Sequence, residues 1–430
     1  MKVLLVGINA KYIHTCLAVR SLYANAGPYQ DMVEFAEYTI NHSCSEIFAP
    51  IYQAKPDVVG FSCYLWNIDY IRSLSRDLKK ILPGLKILVG GPEVSYNPKG
   101  FLTENPEVDL VILGEGEVTF RDYLAHLSGQ ISDLSTIPGL FYRQGDSFVQ
   151  TEARQGMDMD DLVFPYDSLE GLENHILYYE SIRGCPFRCS YCLSSIEKSV
   201  RIKSPEKTKR ELDFFIRHKV PQVKFVDRTF NCNRDYAYEI WKYIGDQDNG
   251  VTNFHFEIGG DLLREKDFEL LKTFRPGLVQ FEIGVQSTNP DTIKAIRRTM
   301  NLDTLRESVA RVRRGGNIHQ HLDLIAGLPH EDYETFRRSF NQVYAMKPDQ
   351  FQLGFLKVLE GSYMKEMKEE YQAKFSSAPP YEVFSTKWLP YEDVLKLKEV
   401  EEMVEVYYNS FQFSASLAYL EGFFESALAL

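Results

Sequence analysis

Short apolar runs alternate with stretches of helical periodicity through the first third of the chain. The runs are Val3–Val6, Val33–Tyr38, Val58–Ser62, Ile87–Val89 and Leu110–Leu113. Between them, Leu17–Ala24 and Tyr70–Leu82 repeat apolar residues at helical spacing. Strands alternating with helices predict a parallel, doubly wound sheet. Ligands of such sheets sit beyond the carboxyl ends of the strands. Asn9, Lys11 and His14 follow the first run, and Ser62 and Tyr64 the third. Gly90-Gly91-Pro92-Glu93 follows the fourth, and Gly114-Glu115-Gly116-Glu117 the fifth. Glycine pairs at adjacent strand ends let a bulky flat or extended ligand approach the backbone.

From about Ser128 to Tyr178 the periodicity weakens. A hairpin is expected around Gln144-Gly145-Asp146-Ser147, then the acidic run Met157-Asp158-Met159-Asp160-Asp161. Charged, proline-marked segments connect domains, so residues 131–174 read as a linker after a first domain over 1–130. The acidic run reads as a solvated loop, with a lid as the alternative.

A second series then begins. Its strands are Ile176–Ile182, Val223–Val226, Phe254–Ile258, Leu278–Gly284, Gln320–Ile325 and Gln350–Leu356. Six such units over 175–362 fall short of the roughly 250 residues of an eight-fold barrel. They predict a partial (β/α)6 barrel. Barrel chemistry is staged at the carboxyl ends of the strands, where Asp227, Glu257, Gln286, Ser287 and Gly327 stand. Residues 363–430 read as a helical domain, with apolar positions at helical spacing through Glu392–Val404.

The sharpest chemical signal is Arg183-Gly184-Cys185-Pro186-Phe187-Arg188-Cys189-Ser190-Tyr191-Cys192. Three cysteines stand at C-x3-C-x2-C spacing with no fourth nearby. Thiolates hold iron–sulfur clusters, usually four to a four-iron cluster. Three would leave one iron open, and open positions are what catalytic metals keep for substrate. Zinc sites favour paired C-x2-C units with histidine, and the motif holds none.

This motif resembles the radical S-adenosylmethionine (SAM) superfamily. The resemblance implies a [4Fe-4S] cluster on Cys185, Cys189 and Cys192 whose free iron chelates SAM. Reduction then yields a 5′-deoxyadenosyl radical. Glu282-Ile283-Gly284-Val285-Gln286-Ser287 resembles the ribose- and carboxylate-contacting strand of that family. Leu322 to Glu331 resembles its adenine-contacting element, with Asp323 where a glycine usually stands. The usual Gly-Gly-Glu after the second strand is missing, and Asp227 is the natural substitute as acceptor for the methionyl ammonium. The resemblance therefore assigns SAM to Tyr191, Asp227, Glu257, Gln286, Ser287 and Gly327, with Tyr191 against the adenine.

Taken with this barrel, the N-terminal third resembles the Rossmann-like cobalamin-binding domain of many radical SAM enzymes. That implies cobalamin contacts at Asn9, Lys11, His14, Ser62, Tyr64, Gly90, Gly91, Gly114, Gly116 and Glu117. The D-x-H-x-x-G that supplies a cobalt-ligating histidine is absent, so a cobalt with no histidine on its lower face is expected. A rival is the methylthiotransferase arrangement, with a second cluster on Cys16, Cys44 and Cys63. The C-terminal segment resembles the start of an uncharacterised helical domain that usually runs longer, so this copy is short or cut short.

Composition narrows the setting. The 430 residues are 44% hydrophobic, and the net charge of −12 argues against a large nucleic-acid footprint. Seven cysteines, three of them clustered, favour metal chemistry in a reducing, cytoplasmic compartment over a disulfide framework. No secretory signal or membrane span is expected. The implied activity is cobalamin-dependent methyl transfer to an unactivated carbon, with a flavodoxin- or ferredoxin-type reductant. A cobalamin-bound enzyme performing a rearrangement or cyclisation is the alternative.

Overall fold

A computed structural model describes residues 1–197 and 199–430. The chain forms two compact units, Met1–Tyr178 and Tyr179–Leu430.

The first unit is built on a seven-stranded sheet. Its strands are β1 (Val3–Asn9), β2 (Val33–Thr39), β3 (Val58–Ser62), β4 (Lys86–Gly90), β5 (Leu110–Ile112), β6 (Leu140–Gln144) and β7 (Ser147–Gln150). The order is β2-β1-β3-β4-β5-β6-β7. The first five are parallel, and β6 and β7 continue antiparallel from β5. Strands buried on both faces are uniformly apolar, as β1 is along its whole length up to Asn9. One core holds Val6, Val59, Phe61 and Cys63, and the other holds Val3, Leu5, Cys16 and Val58. Alternation along β3 puts Val59 and Phe61 on one face and Val58 on the other.

Two expectations change here. The segment expected to be a linker supplies two strands of this sheet, because Leu140, Phe141 and Tyr142 bury themselves against β5. Cys16 and Cys63 belong to the cores of opposite faces, and Cys44 packs on the side of Cys63. Three cysteines divided by a sheet cannot hold one cluster, so the methylthiotransferase arrangement is set aside.

The second unit is an open barrel. Its strands are β8 (Leu177–Tyr179), β9 (Ile182–Arg183), β10 (Arg201–Ile202), β11 (Gln222–Phe225), β12 (Asn253–Glu257), β13 (Val279–Gln286), β14 (His319–Ala326) and β15 (Gln350–Phe355). Six of them form one sheet in the order β15-β14-β13-β12-β11-β8, while β9 and β10 pair separately. The strands β11 to β15 are parallel. Aromatics fill the layer between sheet and helices: Phe225, Phe230, Trp241, Phe256 and Phe281 form a chain of ring contacts. The opposite face of β13 is polar, since buried and half-buried residues alternate along it.

The C-terminal region is not all helical. A small hairpin, β16 (Lys374–Phe375) with β17 (Val383–Ser385), precedes the helix Tyr391–Met403. A π-helical turn, Val404–Asn409, continues that helix. Asn409 bonds to the backbone N–H and C=O of Phe351 at 2.9 Å each. That tie to the edge strand β15 is why the segment belongs to the barrel unit and forms no separate body. No helix among the described residues is long and apolar enough to cross a membrane.

Candidate active site

The cysteine loop leaves β9 at Gly184, whose φ is +87°. A Cβ there would lie 2.0 Å from the Ser199 carbonyl, so only glycine fits. Backbone bonds then anchor the loop to later elements: Ser190 N–H donates to Ile296 O, and Met364 N–H to Ser190 O, both at 2.9 Å. The three sulfurs do not converge within 4.8 Å, the spacing at which side chains share one ion. A single zinc does not suit them. A four-iron cluster takes each thiolate on a different iron and asks for no such convergence.

Around the thiols stand polar groups. Thr229 Oγ1 is 3.8 Å from Cys185 Sγ. Arg298 Nη1 is 3.7 Å from Cys189 Sγ and donates to Tyr191 Oη at 3.3 Å. Arg298 also donates to Gly284 O on β13. Tyr191 packs among Ile296, Leu328 and Met364, and burial pushes its phenol well up. Arg298 was missed by sequence reasoning. Its signal was present, an arginine twelve residues after Gln286 at the end of a short helix, but only the fold brings it back to the cysteines.

Gln286 carries φ +70°, a strained value for a residue with a side chain. The pairing of β13 with β14 slips between Gly284 and Gln286. A Cβ on Gly284 would lie 2.2 Å from Gln286 Nε2, so this glycine makes room for the amide. Gln286 Oε1 is buried with no partner. Strain plus an orphaned acceptor is the mark of a group held for a ligand. The carboxylate of Glu257, at the end of β12, makes no hydrogen bond or ion pair among the described residues, and desolvation pushes it up to about 7. A bound ammonium would relieve it.

Other expected SAM residues lie elsewhere. Asp227 is fully buried, and Oδ1 accepts from Ser181 N–H at 2.8 Å and Ile182 N–H at 2.9 Å. Its second oxygen accepts from Ser181 Oγ. Both oxygens are spent on the root of the cysteine strand, which corrects the expectation of an ammonium acceptor. Ser287 is also fully buried and donates to Glu331 Oε1 at 2.7 Å. Gly327 has φ +87° and faces Val383, whose Cγ1 would lie 2.6 Å from a Cβ. A hydrogen bond therefore accounts for Ser287, and packing for Gly327.

In the first unit the strand order reverses between β1 and β3, the switch point where doubly wound sheets bind ligands. Tyr64 stacks on Trp66 there, with centroids 4.5 Å apart and planes 4° apart. Trp66 Nε1 donates to Ile8 O at 2.9 Å, which pins the β3 loop across the end of β1. Trp66 is exposed at this switch point, an aromatic that sequence reasoning missed. Gly91 has φ +114°, and a Cβ would meet Cys63 O at 2.5 Å. Gly114 has φ +70° with open space beside it. Gly90 leads into this turn, and Lys11 is exposed.

The remaining residues of that set serve the fold. Asn9 Nδ2 donates to His14 O and Glu37 Oε2, both at 2.9 Å. Glu117 is buried and accepts from Ser21 Oγ at 2.8 Å. Gly116 abuts Leu22, and Ser62 contacts Cys16 Sγ at 3.4 Å. The His14 ring meets Tyr178 edge-on. A partly exposed aromatic stack at the switch point, with open space at the Gly114 turn after β5, suits a large ligand with a flat, partly apolar face.

Comparison with known proteins decides between general fold and specific family. Residues 179–343 match the radical SAM superfamily, and residues 3–124 match the B12 binding domain. The chain carries both domains. Residues 369–430 match a protein family of unknown function. The chain is similar to the cobalamin-dependent radical SAM methyltransferase TokK of Streptomyces tokunonensis, 29% identical over 66% of this chain and 44% of that one. It is 30% identical to 2-(S-pantetheinyl)-carbapenam-3-carboxylate methyltransferase of Streptantibioticus cattleyicolor, over 66% and 44%. It thus spans less than half the length of these two relatives. The radical S-adenosylmethionine methyltransferase TsrM of Kitasatospora setae, solved with cobalamin and a [4Fe-4S] cluster, shares the fold. The TM-score is 0.73 at 16% identity, over 89% of this chain and 82% of that one. Within the radical SAM domain, the cysteine loop, Gln286 and Glu257 lie at the carboxyl ends of the strands. Within the B12-binding domain, the Tyr64–Trp66 stack lies at the equivalent edge.

Proposed function

We propose that this protein is a cobalamin-dependent radical SAM methyltransferase acting on an unactivated carbon. The observation that carries this is the three-cysteine loop in the same domain as a strained Gln286 with an orphaned acceptor and a half-buried Glu257 whose side chain has no partner. Cys185, Cys189 and Cys192 would hold the cluster, and Arg298, Glu257 and Gln286 would hold SAM. Gly90, Gly91, Gly114, Tyr64 and Trp66 would border cobalamin. When bound, the cluster with SAM supplies a carbon-centred radical and cobalamin supplies a transferable methyl group.

The protein's own work is electrostatic and positional. Arg298 offers a half-buried cation to a carboxylate, and Glu257 offers an acceptor to an ammonium group. Gly284 leaves room for the Gln286 amide, whose backbone is already strained into place. Tyr191 and its apolar neighbours keep water from one side of the thiols. A flavodoxin- or ferredoxin-type partner would supply the electron.

A second reading has one specific support. The chain is 26% identical, over 64% of its length, to the anaerobic magnesium-protoporphyrin IX monomethyl ester cyclase of Synechocystis. A cyclising or rearranging enzyme would therefore share these parts. The test is anaerobic reconstitution with iron, sulfide and cobalamin, then incubation with SAM and a reductant. Methyl transfer requires S-adenosylhomocysteine beside 5′-deoxyadenosine. 5′-Deoxyadenosine alone supports the second reading, and neither product overturns both.

A further inference from the structure

We propose that the outer side of the cysteine loop is a docking surface for a small acidic electron-transfer protein, built on Arg188, Lys294 and Arg297. One hydrogen bond brings the three together. Ser190 N–H donates to Ile296 O at 2.9 Å. Arg188 stands just before Ser190 in the loop, and Lys294 and Arg297 stand on either side of Ile296. All three are exposed, and among the described residues none makes an ion pair or a side-chain hydrogen bond. Met364 N–H closes on Ser190 O at 2.9 Å and brings Lys365 and Glu366 beside them. Lys365 is answered by Glu360 at 3.4 Å. Asp291 lies at the far end of the short helix Pro290–Ala295. The chain as a whole carries a charge of −12, so three unanswered cations around one loop reverse the sign locally.

Arg297 is held there under strain. The helix Pro290–Ala295 ends in a Schellman turn: Arg298 N–H donates to Ile293 O at 3.0 Å, and Arg297 N–H to Lys294 O at 3.1 Å. The left-handed residue of that turn is usually glycine. Here it is Arg297, at φ +55°. A residue with a side chain pays for that backbone in strain, which persists where the position has a use. Its guanidinium carbon lies over the Tyr363 ring, 3.4 Å from the centroid. The stack fixes a long side chain while its charge stays exposed, so less freedom is lost when a partner arrives. Its neighbour Arg298 lies 3.7 Å from Cys189 Sγ. Adjacent residues thus put one guanidinium on the surface and one against a thiol of the loop.

The identity of the partner rests on the proposed function. That reading requires one electron per cleavage: the donor is oxidised by one electron and the iron–sulfur site is reduced by one. Cys185 and Cys192 are only half-buried, and Pro186 and Arg188 between the cysteines are exposed, so the loop is itself part of the surface. A donor that docks on the loop meets the three cations, and an acidic donor is steered to them against the negative charge of the whole chain. Rim charges of this kind set the encounter rate and make it sensitive to salt.

The test uses the reconstituted holoprotein with a purified acidic flavodoxin as probe. Equilibrium binding should weaken about tenfold between ~50 and ~300 mM salt. Arg188→Glu combined with Lys294→Glu and Arg297→Glu should weaken binding at low salt by about tenfold or more and slow reduction by flavodoxin. Iron content, melting temperature and reduction by dithionite should stay at wild-type values. Arg297→Gly separates docking from packing. Glycine relieves the left-handed strain, so melting temperature should hold or rise while flavodoxin binding falls. Salt-independent binding, unchanged binding in the triple variant, or tighter binding of single-stranded RNA than of flavodoxin overturns the surface. A lower melting temperature with unchanged binding in Arg297→Gly makes that arginine a packing residue and overturns its part. SAM cleavage driven by dithionite tests the proposed function alone. Its absence in wild type fails that reading, while binding still decides the docking surface.

Discussion

Arg298 places Nη1 3.7 Å from the sulfur of Cys189, from a position 109 residues further along the chain. A half-buried guanidinium beside a cluster ligand stabilises negative charge on the thiolate and can receive a carboxylate. Replacement by alanine should weaken SAM binding roughly ten- to a hundredfold, the value of one charge-assisted hydrogen bond of about 1.5–3 kcal/mol. Lysine should restore part of it, because it keeps the charge but not the fork. Equilibrium SAM binding on protein of matched iron content checks this, and an unchanged affinity makes Arg298 a purely structural tie to Tyr191 and Gly284.

Glu257 should give SAM binding a pH dependence. Burial raises its carboxyl to about 7, so below that pH it is mostly protonated in the free protein. A bound ammonium favours the ionised form, so affinity should rise as pH increases through about 7 and a proton should leave on binding. Glu257→Gln should bind more weakly and lose this slope. The difference between the two profiles isolates the carboxylate from the titration of SAM itself. Identical slopes would remove Glu257 from the site.

Asp227 is a stability residue by the same logic. Its carboxyl is also raised to about 7 by burial, against the lowering effect of Ser181 and Ile182. Between pH ~4 and ~7 the folded state binds a proton that the unfolded chain has released, so stability falls as pH rises through that window. Asp227→Asn keeps an acceptor for the two backbone N–H groups and should flatten the profile. Asp227→Ala leaves them buried without an acceptor, at about 1–3 kcal/mol each. Denaturant melts across pH decide it, and a loss of SAM affinity at unchanged stability would restore the ligand role.

Gly184→Ala should remove the cluster. The Cβ would sit 2.0 Å from Ser199 O at a φ of +87°, so the loop must move. Iron content and visible absorbance after reconstitution should drop steeply while far-ultraviolet dichroism is retained. Full iron loading would mean that the loop tolerates the shift.

In the B12-binding domain, Trp66→Ala should lower cobalamin retention, because it removes one ring of an exposed stack and leaves the sheet intact. Paramagnetic resonance of the cob(II)alamin form should show no nitrogen splitting from a lower imidazole. Splitting that vanishes in His14→Ala would overturn the ligand assignment and leave the cofactor in place.

The amino-acid sequence by itself determined the local elements and the loop chemistry. Val58–Ser62 was legible to the residue, and the other strands to within a few residues, because the central strands of the first sheet read as apolar runs and those of the barrel alternate with period two. The cysteine spacing alone pointed to an iron–sulfur cluster. Alternation along Gln280 to Gln286 showed which side chains share a face. Tertiary structure decided what those side chains meet. Asp227 and Glu257 are both acids at the end of a strand, and the sequence treats them alike. Only the return of the Ser181 and Ile182 N–H groups makes one a structural acceptor, while nothing returns to the other. Ser287 turned to Glu331 for the same kind of reason. Residues 131–174 read as a linker because antiparallel edge strands are short and weakly patterned, and their partner β5 had to be in place first. Arg297 with Tyr363, and Arg298 with Cys189, are pairs that periodicity cannot supply. Pattern fixes the face a residue takes, but register and chain return set its neighbours.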